Sequence, residues 1–405
     1  MLVKTGSFAS NTVTGNQSVV GVGFEPKVIL FMSADLNADG IFSTAQPIFG
    51  VAVSDTQQWA VAALSIDNVG NADTYRHAHN DRCLHHGDGA GTNMQLDFVS
   101  HDADGFTVNV TDAPGTALIV PYLALGGDDL QVSAGVSSIA TAGSPQTFTG
   151  ASFEPDLVIL GHIGRIAWPV TNGQHFIFGL SAFTGVGQAA FALSDQDTAA
   201  TTVTNVYERS DSALLECFLN AEITRCTFNA MTSDGFSLNV PNLPDAAALT
   251  FGWLAIQGGR WKVGVETKPT SAIPKLTSGI GFQPEALMLF GGMNPSSTSV
   301  QESCNHTIGV TDGITQSYVA GGSNDGAGTS NSTRRLGLSE VIGRVDGGET
   351  QTAQAELTSL DADGFTLDWT IADAVAHEFI YLAMAGDEEP RASEMVSHLS
   401  VTTVA

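Results

Sequence analysis

Apolar residues fall along this chain in two rhythms, and neither is helical. In the first, four or five apolar residues stand in an unbroken run: Val28-Ile29-Leu30-Phe31-Met32, Leu157-Val158-Ile159-Leu160 and Ala286-Leu287-Met288-Leu289-Phe290. Each run has a proline shortly before it and glycine or serine directly after. Runs this short predict buried strands rather than helices, and the entry of a strand is where the missing N–H of proline costs least. In the second rhythm apolar and polar residues alternate: Phe106-Thr107-Val108-Asn109-Val110, Phe236-Ser237-Leu238-Asn239-Val240 and Phe365-Thr366-Leu367-Asp368-Trp369. Side chains at i, i+2 and i+4 share a face, so one side of each strand is apolar and the other polar. Each alternation follows an Asp-Gly pair, a strong turn signal, and the stretch before the first, Met94 to Val99, alternates as well. A hairpin is predicted at each place. Segments such as Trp59–Leu64, Phe176–Leu180 and Phe251–Ile256 add further strands, roughly seven to nine per copy of the pattern. No long amphipathic helix competes; Ser212–Glu216 is too short.

The landmarks recur in one order at one interval. Phe24, Phe153 and Phe282, each followed two residues later by proline, are 129 residues apart. Asp104-Gly105-Phe106, Asp234-Gly235-Phe236 and Asp363-Gly364-Phe365 keep step, as do Gly50, Gly179 and Gly309, and the closing Tyr122-Leu123-Ala124, Trp253-Leu254-Ala255 and Tyr381-Leu382-Ala383. A period of this length is too long for a solenoid unit of roughly 20–50 residues and sits near the common size of an independent domain. The expected fold is therefore all-β, with three tandem antiparallel β-sandwich domains over residues 1–127, 128–258 and 259–387 and a tail over 388–405. Phe24, Phe153 and Phe282 are expected at equivalent buried positions, as are Phe106, Phe236 and Phe365. The stretches Ser133–Ser144 and Glu266–Lys275 read as short connectors, which suits three domains clustered about a pseudo-threefold axis rather than strung out.

Composition narrows the function. The chain has 42 acidic against 15 basic residues, a net charge of −27. That disfavours nucleic acid, whose binding draws on a basic surface, and an anionic membrane surface. No run of about 18 apolar residues is present to span a bilayer. The first residues show no basic segment followed by an apolar one, so synthesis in a cytoplasm is expected. Cys83, Cys217, Cys226 and Cys304 do not recur at equivalent places and form no C-x-x-C pair. Reduced, buried thiols are expected, with a Cys217–Cys226 bridge as the alternative.

The ordered set Gly23-Phe24-Glu25-Pro26-Lys27-Val28-Ile29-Leu30, Tyr75-Arg76 leading to Arg82-Cys83, His101-Asp102-Ala103-Asp104-Gly105-Phe106 and Tyr122-Leu123-Ala124-Leu125-Gly126-Gly127 resembles a repeat of structural proteins of tailed bacteriophages. The resemblance touches all three copies. The third departs most, with Gln283 in place of glutamate and Arg334-Arg335 as the echo of the Tyr-Arg segment. It implies a component of the virion and carries no catalytic residues.

Two polar clusters have metal-ligand character. Asp35-Leu36-Asn37-Ala38-Asp39-Gly40-Ile41-Phe42-Ser43 matches the first nine positions of a calcium loop, with oxygens expected from Asp35, Asn37, Asp39 and the Ile41 carbonyl. Gln46 stands at the twelfth position where glutamate is expected, and metal-free Asx turns give the same pattern. His77, His79, Asp81, Cys83, His85, His86 and Asp88 form the second cluster, read as an exposed, loop-borne patch, with a divalent metal as the alternative. No Gly-x-Ser-x-Gly elbow, P-loop or dinucleotide fingerprint occurs. His377-Glu378 opens like a zincin motif, but Tyr381 stands where the second histidine belongs. The expectation is a non-enzymatic virion protein on the particle exterior, without a cofactor unless calcium binds. As a capsid decoration or cement protein it would contact the major capsid protein. The alternative is a tail or tail-fibre component that binds other tail proteins or a host surface glycan.

Overall fold

The computed structural model describes residues 1–89, 91–139, 144–240 and 248–387; the expected tail, 388–405, lies outside them. Among the described residues there are strands and no helices, in three seven-stranded and three four-stranded antiparallel sheets. The first eleven strands are β1 (Leu2–Ala9), β2 (Gly15–Val20), β3 (Pro26–Ser33), β4 (Gly40–Ser43), β5 (Ile48–Ala52), β6 (Gln58–Ser65), β7 (Thr74–His79), β8 (Leu84–Gly87), β9 (Thr92–Asp102), β10 (Gly105–Asp112) and β11 (Ile119–Gly126). One sheet runs β1-β11-β3-β5-β6-β7 and the facing sheet β2-β10-β9-β8. The same two orders recur for β12 (Gln131–Ile139) to β22 (Leu249–Gln257), and again for β23 (Arg260–Thr267) to β33 (Glu378–Ala385).

The unbroken apolar runs are explained by where their two faces go. Val28, Leu30 and Met32 enter a central core, whereas Ile29 and Phe31 enter a second core beneath the four-stranded sheet. Leu157 and Ile159 divide from Val158 and Leu160 in the same way, as do Met288 and Phe290 from Leu287 and Leu289. Each seven-stranded sheet is thus covered on both sides, a demand that continuous rather than alternating hydrophobicity meets. The central core draws on all three thirds of the chain.

The recurring landmarks meet one another in space. The Asp104 carboxylate accepts the N–H groups of Gly21 (3.2 Å) and Gly23 (2.6 Å), tying the Asp-Gly turn to the loop before Phe24. Asp234 holds Gly150 and Ser152, and Asp363 holds Gly279 and Gly281, in the same manner. The glycine after each aspartate is required by close approach: a Cβ on Gly105, Gly235 or Gly364 would lie 1.9, 2.2 or 1.9 Å from a carbonyl oxygen of the neighbouring strand. Phe106, Phe236 and Phe365 are buried and meet the closing aromatics Tyr122, Trp253 and Tyr381 edge-on at 5.3, 6.4 and 5.6 Å between ring centres.

Three expectations need correction. Phe153 and Phe282 are buried, but Phe24 is only partly so, packing on the rim of its core. The stretches read as connectors do not join the thirds: Ser133–Ile139 belongs to β12 and Glu266–Thr267 to β23, and residues 127–130 and 258–259 lie between the last strand of one third and the first of the next. Among the described residues the strands per third number eleven, above the expected count. The extra ones include β4, β15 (Val170–Gln174) and β26 (Gln301–Glu302), too short and polar to announce themselves. The cysteines are all reduced and buried, as expected.

Candidate functional site

Those three inconspicuous strands build the junctions between the thirds. β15 adds to the edge of the first seven-stranded sheet by pairing with β7. β26 adds to the second through β18 (Thr204–Arg209), and β4 adds to the third through β29 (Ser332–Gly337). Each third therefore gives one strand and receives one, and the exchange closes on itself. Side-chain bonds follow the same cycle. Asp197 accepts the N–H of Thr74 (3.1 Å), Asp325 that of Thr204 (2.8 Å) and Asp67 that of Ser332 (2.8 Å). Backbone bonds add Thr198 to Ala72, Gly326 to Thr202 and Asn68 to Ser330. At the centre the last residues of β6, β17 (Gln188–Asp195) and β28 (Gln316–Ser323) converge. There Ser65 and Ser323 donate to the Asp195 carboxylate at 2.7 and 3.4 Å, and Ser332 bridges the two serines.

The proposed calcium loop is one of these junctions. Asp35 is mostly buried and accepts from His86 Nδ1 (2.8 Å), Asn93 Nδ2 (2.7 Å) and Arg334 (3.2 Å). Burial alone would push its carboxyl up, but the His86 hydrogen bond and charge, with Arg334, hold it below the usual range. Asp39 takes Arg335 and the Leu338 N–H, so the two carboxylates serve different partners. Ile41 lies in β4, in register with Arg335, and Asn37 is exposed. Among the described residues no group of three or more His, Cys, Asp or Glu side chains is arranged to hold a metal ion. The loop clasps the third segment through Arg334-Arg335. Beside it lies an open cleft of about 400 Å³ lined in part by Asp35, Asn37, Phe42, Asn93, Thr116 and Arg334. Replacing Arg334 by alanine leaves the Asp35 carboxylate short of its cation and Gln46 short of its donor. The expected loss is about 2–3 kcal/mol in unfolding free energy by urea titration, and an unchanged midpoint would refute the clasp.

The histidine cluster is not the exposed patch expected. His77 and His79 lie on β7, His85 and His86 on β8, and all four are buried. The strand alternation does place His77 and His79 on one face, where both rings meet His85, at 4.9 and 4.5 Å between centres. They are buried because the four-stranded sheet and the added strand β15 close over β7. His77 Nδ1 accepts the Asn172 N–H (3.2 Å), and His79 Nε2 lies 3.3 Å from the Thr171 hydroxyl, both on β15. Burial, then mutual repulsion with His79, lowers His77 to about 4. Burial, then Arg82, lowers His79 to about 4, although Asp81 opposes this. His85 is lowered further for the same reason. His77 and His79 are neutral imidazoles that dock a strand, and His85 is buried with them. Cys83 is buried beneath the same sheet, whereas Asp81 is mostly exposed beyond the end of β7. His377, the zincin-like residue, bonds Asp373 at 3.2 Å.

No family model matches the chain, and no curated protein matches it. Among solved structures, a chain of the Sulfolobus turreted icosahedral virus aligns at 8% identity and a TM-score of 0.13, covering 95% of this chain and 84% of that one. A xylan β-1,4-xylosidase from Bacillus halodurans C-125 aligns at 7% identity and a TM-score of 0.12, covering 87% and 88%. An outer membrane channel from Pseudomonas putida F1 aligns at 9% identity and a TM-score of 0.10, covering 93% and 97%. Scores this low carry no argument about fold or function.

Proposed function

We propose that the chain is a non-enzymatic structural protein of a tailed-bacteriophage particle, a capsid decoration or cement protein on the outer surface. In this reading residues 1–127, 128–258 and 259–387 are three β-sandwich domains around a pseudo-threefold axis, and the body occupies a threefold or quasi-threefold position over the major capsid protein. The observation that carries the reading is the closed exchange of β4, β15 and β26, which suits a rigid three-cornered plug. The polar side chains singled out in the sequence support it too, since Asp35, Asp39, His77 and His79 all serve junctions. The net charge of −27 favours an exterior position away from packaged DNA, where like charges repel at short range. Synthesis is in the host cytoplasm, with assembly onto the particle afterwards.

A second reading, a tail or tail-fibre component that binds host glycan, is favoured by the cleft beside Asp35. Its exposed Phe42 ring and amide and hydroxyl groups are the lining a sugar needs. The two readings separate on particles lacking the protein. Loss of a cement leaves heads that release DNA at lower temperature than intact particles, with density missing at threefold positions in cryo-electron microscopy. Loss of an adhesin leaves stable heads that no longer adsorb. If heads and adsorption both stay normal and the purified chain cleaves a glycan or peptide, the structural assignment is wrong.

A further inference from the structure

The centre of the molecule carries a charge that its packing does not require. Ser65, Asp195 and Ser323 end β6, β17 and β28, so one position is filled three times, twice by serine and once by aspartate. The serines show that a small neutral hydroxyl satisfies the site. The carboxylate is fully buried, and its Oδ2 accepts from both serines. Ser332 completes a ring of four oxygens, 3.0 Å from Ser65 and 3.2 Å from Ser323.

All three hydroxyl protons are spent within that ring, Ser65 and Ser323 donating to Oδ2 and Ser332 to Ser323, so the Ser65–Ser332 contact has no proton of its own. None is left for Asp195 Oδ1, which is buried without a hydrogen-bond partner. Nor does a lysine or arginine ion-pair with Asp195 among the described residues. The charged group bearing on it is another carboxylate, Asp325. Asp67, Asp197 and Asp325 stand at the surrounding junctions, each tied to one backbone N–H. An isolated buried carboxylate is costly unless something positive joins it, and this one, half unpartnered and with serine hydroxyls on its Oδ2, offers hard ligands only. Such a set suits alkali and alkaline-earth cations and not zinc or copper, which favour nitrogen and sulfur.

We propose that the central ring binds one hard metal cation, Ca²⁺ or Na⁺, with the Asp195 carboxylate as its anionic ligand and the hydroxyls of Ser65, Ser323 and Ser332 as neutral ones. The ion locks together elements of all three thirds, because its ligands come from β6, β17, β28 and β29. The competing neutraliser is a proton: burial, only partly offset by the two serine hydroxyls and the nearby Gln196 N–H, pushes the Asp195 carboxyl up to about 7.

The test is thermal unfolding of metal-stripped full-length protein at pH 8, with ionic strength held constant by tetramethylammonium chloride. CaCl₂ and NaCl are titrated separately against wild type, Asp195→Ser and Asp195→Asn. Wild type is expected to show a saturable rise in Tm of about 3 °C with one of the two salts at a hundredfold excess over Kd. Both variants should lose that rise, and elemental analysis should find one fewer bound ion per chain. Asp195→Ser reproduces the residue at the two equivalent positions, so it should fold. The proposal fails if wild type responds to neither cation, if Asp195→Ser responds equally, or if Tm follows pH alone and is indifferent to both salts.

Discussion

Replacing Trp59 by alanine is expected to destabilise the protein by about 3–5 kcal/mol, the cost of removing a fully buried large aromatic. Trp59 lies on β6 of the first third, yet its indole N–H donates to the Trp253 carbonyl at 3.0 Å and its ring rests on the backbone of the second. The floor consists of two glycines. A Cβ on Gly161 would lie 2.6 Å from the ring, and one on Gly252 would lie 2.4 Å from it. Gly252→Ala should therefore be destabilising in the wild type and much less so beside Trp59→Ala, where the ring is gone. Guanidinium unfolding of the two single variants and the double variant measures that coupling. Strict additivity would show that the indole does not depend on this floor.

Acid should weaken the junction between the first and second thirds over the range where free imidazoles titrate. His77 and His79 are lowered to about 4 in the folded protein, against about 6.5 in an unfolded chain. Between those values the unfolded state binds more protons, so stability rises with pH and is lost as pH falls from about 6.5 towards 4. Each imidazole contributes up to about 3 kcal/mol across that window. Protonation also removes the acceptor that His77 Nδ1 presents to the Asn172 N–H, so β15 should be the element released. The double variant His77→Gln, His79→Asn should reduce the slope of unfolding free energy against pH between 6.5 and 4, the remainder coming from other buried histidines such as His162 and His377. A slope identical to wild type would count against the histidines. Hydrogen exchange at pH 5 should show residues 170–174 losing protection first.

The strands that bury both faces were the most legible part of the sequence. An apolar run such as Val28–Met32 has no polar side to turn outwards, and the structure covers it twice. The spacing of Phe106, Phe236 and Phe365 likewise led directly to three equivalent contacts with Tyr122, Trp253 and Tyr381. What escaped were features decided by contact between distant thirds. Gln301-Glu302 has no pattern of its own and becomes a strand only because β18 offers it an open edge. The histidines looked like a surface cluster because nothing local says that β15 will cover them. Asp35 and Asp39 carried the spacing of a metal loop while their charges were matched by Arg334 and Arg335, some 300 residues away. Asp195 was within reach of sequence reasoning: Ser65, Asp195 and Ser323 recur at 130 and 128 residues, close to the landmark interval, and the single acid among them is the signal.

The closed exchange of strands has a consequence for what can vary. An assembly of three identical chains must place every substitution three times, so one aspartate at its centre would be three aspartates repelling one another. On the proposed reading of three fused copies, covalent fusion lifts that constraint. Here one position holds Asp195 beside Ser65 and Ser323, one junction carries the Asp35–Arg334 pair, and another rests on Trp59. The assembly also cannot be undone by dilution, because each partner is tethered at a high effective concentration to the other two. In the proposed three-domain body, a shape that ordinarily requires symmetry is kept, while its three corners are free to become different.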